Sequence, residues 1–103
     1  MGAERRRFPR YPLVADTEIT EIASNIRLGG RTNDLSMGGC FLDMVNPLPE
    51  GTDIQIIVRH ASASFTAAGK VVFAFPNAGM GVVFTNLQED QLAVLRKWLG
   101  ELE

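Results

Sequence analysis

The chain holds a single cysteine, Cys40, and a single histidine, His60, among 103 residues. A lone cysteine forms no internal disulfide, and a zinc site needs more soft ligands than this pair offers, so no disulfide scaffold and no metal is expected. Both features suit a reducing compartment. Apolar runs are short, each broken by Gly, Pro or charge before the roughly 20 residues that a membrane helix requires, so membrane insertion is not expected. The basic N-terminus leads into Phe8, Pro9, Tyr11 and Pro12 rather than the continuous apolar stretch of a signal peptide, which predicts a cytoplasmic protein. No Gly-x-Ser-x-Gly, His-Glu-x-x-His or Walker sequence accompanies Cys40 or His60. A lone Cys opening an apolar strand reads as a small buried hydrophobe, and a lone His at a strand end as a solvated or hydrogen-bonded one. No catalytic residue is therefore assigned, and an enzyme is not expected. Aromatic residues are 8% of the chain and the formal net charge is -2. That is too few stacking platforms and too little positive potential for a nucleic-acid binder.

What is present suits one domain spanning residues 1–103. The chain is 46% hydrophobic and 21% charged, enough apolar surface for a single core. Residues 13–22 alternate loosely with a period of two, and 30–35, 40–45, 53–60, 64–75 and 80–85 read as further strands, each bounded by Gly, Pro, Asn or Ser turns. Gly69 marks a bulge or bend within the longest of them. Six such strands without an intervening helix predict an all-β fold, a small six-stranded antiparallel β-barrel, since closure removes exposed edges. From residue 87 the period changes. Leu92, Leu95, Leu99 and Leu102 recur at spacings of three and four, predicting a C-terminal helix over 87–102, with Asn86 and Glu89 as its capping box. Its apolar stripe has two uses, plugging a barrel mouth or lining a homodimer interface, and the area a short chain needs favours the barrel. Monomer and homodimer both remain open.

Charge is unevenly placed. Arg5, Arg6, Arg7 and Arg10 are four of the ten basic residues, whereas Glu89, Asp90, Glu101 and Glu103 gather at the far end. Guanidinium groups pair bidentately with phosphate and stack on flat rings, so an arginine cluster points to a discrete anion site, with phosphate and guanine as natural targets. Phe8 and Tyr11 give this segment apolar anchors, and Pro9 and Pro12 stiffen it. The second candidate element is Asp34-Leu35-Ser36-Met37-Gly38-Gly39, where short polar side chains and two glycines let a ligand approach closely.

Together these elements resemble the PilZ domain family, receptors for the bacterial second messenger cyclic di-GMP. The family's Arg-Arg-x-x-x-Arg motif is matched by Arg5, Arg6 and Arg10, and its Asp/Asn-x-Ser-x-x-Gly motif by Asp34, Ser36 and Gly39. The resemblance extends over the whole chain, through a Gly-x-Gly-Val-x-Phe-like stretch at Gly79 to Phe84 and the terminal helix. It implies a flexible Arg-rich segment, residues 1–12, that orders over the ligand, a barrel over 13–85, and a second motif that holds a guanine. The implied ligand-binding residues are Arg5, Arg6, Arg10, Asp34, Ser36 and Gly39, with Arg7 and Gly38 as additional contacts. Ser36 would bond a phosphate or base edge through its hydroxyl. Gly39 would be glycine because a Cβ there meets ligand or strained backbone. The implied function is that of a stand-alone receptor and adaptor that binds cyclic di-GMP, needs no cofactor, and passes the signal to an unidentified protein partner. The alternative is a protein-interaction adaptor of the same fold that binds no nucleotide.

Overall fold

The structure, a computed structural model, describes residues 8–103. Alternation of burial builds its strands. In β2 (Asp16–Glu21) Thr17 and Ile19 face inward. β3 spans Arg27–Leu35 and β4 spans Gly39–Asp43. β5 (Asp53–His60) buries Ile54, Ile56 and Val58, and β6 (Ala63–Phe75) buries Phe65, Ala67 and Val71. β7 (Gly79–Asn86) adds Met80 and Val82. The apolar side chains among these form one continuous core, whose burial supplies the main driving force for folding.

All pairings are antiparallel, in the order β3-β2-β5-β6-β7-β4, and β4 returns to β3, closing a six-stranded barrel. This is the expected architecture, with one addition. Tyr11–Pro12 forms a further short strand, β1, paired to Leu35 and Asp34 of β3. The prolines point away from a strand here, yet an edge position tolerates a residue without an N–H. Strand β5 has the expected limits. The β6–β7 register shifts at Ala68 and Gly69, but the extra residue there is Thr85 of β7; the bulge of β6 itself is at Val72, between Val71 and Phe73, rather than at Gly69. β2 is shorter than expected because Leu13 to Ala15 depart from regular pairing, as described below.

The helix α1 (Glu89–Leu102) starts later than expected. Asn86 still belongs to β7, paired with Ala68, so its backbone is committed to the sheet and the Asn86–Glu89 capping box does not form. The cap position falls to Gln88, which makes no side-chain capping bond. Glu89 and Asp90 in the first turn complement the positive end of the helix dipole. The helix is fastened to the barrel by Gln91, whose Oε1 accepts the Thr66 N–H at 2.7 Å. Leu95, Trp98 and Leu99 are buried, and Trp98 lies 5.5 Å from the Phe65 ring and edge-on to His60 at 5.3 Å. The apolar stripe thus packs on the barrel. No helix among the described residues is long and apolar enough to cross a membrane.

Candidate functional site

The second half of β3 is irregular, and that irregularity presents the site. Register with β4 runs Thr32 to Leu42 and then Asp34 to Phe41, so Asn33 is an extra residue on β3. In an unbroken strand Asp34 would share the inward face of Thr32. The bulge resets the alternation: Thr32 and Leu35 are both fully buried, while Asp34 stands beside Phe41 with its side chain 26% exposed. A bulge re-aims a side chain at little expense to the flanking ladder. The sequence does not mark the insertion, because Arg31, Thr32, Asn33 and Asp34 form one polar run.

The two carboxylate oxygens of Asp34 have different partners. Oδ1 accepts the Phe41 N–H at 3.1 Å, serving the ladder where the bulge interrupts it. Oδ2 faces Arg10, whose Nη1 is 3.7 Å away. The structure therefore brings together one residue from each motif. Pairing of Tyr11 and Pro12 with Leu35 and Asp34 lays the arm along β3 and carries Arg10 to that point. Phe8 anchors the arm further out, its ring lying across Gly38, where a Cβ would come within 2.9 Å of Cδ2. Arg5, Arg6 and Arg7 lie outside the described residues.

Ser36 and Gly39 shape the turn after β3. The Ser36 hydroxyl accepts from the Gly38 and Gly39 N–H groups, each at 3.1 Å, and donates to the Gly39 carbonyl at 3.2 Å. Its N–H donates to the same carbonyl at 2.8 Å. With donor and lone pairs engaged and the residue 8% exposed, this hydroxyl holds the turn rather than facing solvent. Gly39 has its own steric reason. A Cβ there would overlap the Val82 carbonyl oxygen and approach the Val83 Cα at 3.1 Å, so the requirement arises from the neighbouring strand β7.

Cys40 and His60 do not meet. They sit on β4 and β5, which share no neighbour around the barrel. Burial, with a smaller contribution from the nearby Asp34 charge, pushes the Cys40 thiol up to about 12, so it is neutral at physiological pH and a poor nucleophile.

The family model for the PilZ domain matches residues 4–101. No curated protein matches the chain significantly by sequence. Among solved structures, the PilZ domain of CeSA from a cellulose-synthesizing bacterium superposes with a TM-score of 0.74 at 23% identity, covering 91% of this chain and 97% of that one. The PilZ domain of Escherichia coli YcgR, solved with c-di-GMP, gives a TM-score of 0.75 at 23% identity, covering 95% of this chain and 91% of that one. The Bacillus subtilis inhibitor of motility, MotI/DgrA, gives 0.72 at 16% identity, covering 96% of this chain and 54% of that one. At such identities the likeness is one of fold.

Proposed function

The chain belongs to the PilZ domain family, and from that premise we propose that it binds cyclic di-GMP at the junction of the N-terminal arm and the β3–β4 turn, and passes the signal on through a protein contact. The observation that carries this reading is the approach of Arg10 to Asp34, one residue from each motif, at 3.7 Å on the outer face of the barrel. A cyclic dinucleotide with two phosphates and two guanines asks for cations, a guanine-edge acceptor and a backbone that lets it close; Arg10, Asp34 and the glycine turn offer one of each at this junction.

The chemistry divides among the residues as follows. Asp34 Oδ2, partnered among the described residues by the exposed Arg10 guanidinium, accepts from guanine N1–H and N2–H. Adenine does not present these donors together, which makes Asp34 the base-selecting group. Arg10 pairs with phosphate or with guanine O6 and N7, both bidentate modes of a guanidinium. Arg5 and Arg6, with Arg7 beside them, supply the remaining cationic and stacking contacts. Ser36 and Gly39 act through the turn: the serine fixes its shape, and the glycine lets β4 run close to β7. Gly38 receives Phe8, so the arm has an apolar foothold next to the ligand. The complex of YcgR with c-di-GMP supports the ligand assignment by analogy of fold.

Isothermal titration calorimetry with cyclic di-GMP tests the proposal, run beside Arg6→Ala, Arg10→Ala and Asp34→Ala and a cyclic di-AMP control. The expected result is micromolar or tighter binding, about -8 kcal/mol or better, lost in the variants and absent for cyclic di-AMP. No heat and no shift in melting temperature at high ligand concentration would overturn the nucleotide assignment and leave the protein-interaction role.

A further inference from the structure

The arm reaches Asp34 across an irregular stretch. Pro12 pairs with Asp34, but Asp16 pairs with Arg31, so the arm advances one residue more than β3 does between these two positions. An extra residue in a ladder leaves backbone groups without a partner, and buried ones must find another. Here the partner is a side chain. The Thr32 hydroxyl donates to the Leu13 carbonyl at 2.6 Å and accepts the Ala15 N–H at 2.8 Å. The Thr32 N–H donates to the Ala15 carbonyl at 2.9 Å, and the Leu13 N–H to the Asn33 carbonyl at 3.3 Å. Thr32 is fully buried, and Leu13 and Ala15 on either side of it are buried too. One hydroxyl therefore closes the gap that the extra residue opens.

We infer that Thr32 is the positioning residue that sets the register of the arm on β3, and through it the meeting of Arg10 with Asp34. Without the hydroxyl, the Leu13 carbonyl and the Ala15 N–H are buried and unpartnered. The arm then regains hydrogen bonds by slipping to a continuous ladder or by lifting off, and either movement takes Arg10 away from Asp34. Valine has the same shape but neither donates nor accepts, whereas serine retains both functions.

The affinity consequence rests on the proposed cyclic di-GMP function; the register consequence does not. The experiment compares wild type, Thr32→Val and Thr32→Ser by calorimetry with cyclic di-GMP, and by amide hydrogen exchange at Leu13 and Ala15 without ligand, well below each melting temperature. Thr32→Ala replaces the valine variant should that one fail to fold. In Thr32→Val, protection at Leu13 and Ala15 is expected to fall and the dissociation constant to rise about tenfold, the loss of one to two buried hydrogen bonds. Thr32→Ser is expected to restore both. A valine variant that melts earlier but keeps wild-type affinity and arm protection would overturn the inference and reduce Thr32 to a stability residue. A serine variant no better than valine would overturn it too. Should wild type bind no cyclic di-GMP, the functional reading fails, and the exchange of Leu13 and Ala15 alone then decides the role of Thr32.

Discussion

Replacing Gly39 with alanine separates two explanations of a motif glycine, room for a ligand and room for the fold. The added methyl would overlap the Val82 carbonyl oxygen, and that atom belongs to a strand held on both sides by β4 and β6, so it has little freedom to withdraw. Relief must come from β4. Moving Gly39 strains the bonds from the Ser36 N–H and hydroxyl to its carbonyl, and from its own N–H to the Ser36 hydroxyl. Two or three such bonds contribute about 1 kcal/mol each. Overpacking adds about 1–3 kcal/mol, for a total of about 3–6 kcal/mol. In a domain of this size each kcal/mol lowers the melting temperature by roughly 4–8 °C, so Gly39→Ala should melt at least about 12 °C below wild type without any ligand present. Gly100→Ala, in α1 with open space around the site, is the control and should be neutral or stabilise by up to about 1 kcal/mol. Thermal unfolding followed by circular dichroism is the assay. A Gly39→Ala protein that melts within about 2 °C of wild type, a difference under roughly 0.5 kcal/mol, would refute the steric argument and return the glycine to the ligand.

Asp34→Asn keeps an oxygen for the Phe41 N–H and removes only an exposed ion pair. Its melting temperature should fall by no more than a few degrees, under about 1 kcal/mol, while calorimetry shows weakened cyclic di-GMP binding. Cys40 makes stability depend on alkaline pH. Folding raises its thiol from 9.0 to about 12, so its contribution is intact below pH 9 and is lost as pH rises toward the folded value. Urea unfolding at pH 8 and pH 10 should therefore show a larger loss for wild type than for Cys40→Ala, and equal losses would contradict this. Trp98→Ala removes a ring that is 4% exposed and packs on Phe65 and His60. A destabilisation of about 3–5 kcal/mol is expected, and a value under about 1 kcal/mol in denaturant unfolding would mean that α1 is not docked as described.

Much of the barrel is legible because its strands obey one rule. Ile54, Ile56 and Val58 alternate with outward residues along all of β5, and the same period runs through Gly69 to Val71 in β6 before the inserted Val72 breaks it. The helix is legible from the change of period at Leu92, though not its start, because β-pairing of Asn86 competes with its use as a cap and wins. At the site, the residues are readable as types but not as arrangements. Asp34 faces outward only because Asn33 is inserted, and the arm reaches it only because Thr32 absorbs a second insertion. Both depend on the register between strands, which composition does not encode. Ser36 shows the limit from the other side: its hydroxyl suits a ligand, yet two N–H groups and a carbonyl within its own turn engage it first.

Strand β1 has a consequence for how this molecule meets others. Each barrel strand has a neighbour on both sides, whereas β1 has one among the described residues. It is the natural place for a foreign chain to add itself, and it is two residues long, with Pro12 offering no N–H. Such an edge is a poor template for strand addition. The same prolines that stiffen the arm thus act as a guard against self-assembly through the sheet. Recognition by another protein then falls to side chains on the barrel wall or on α1, where specificity can be written residue by residue instead of being lent by backbone pairing.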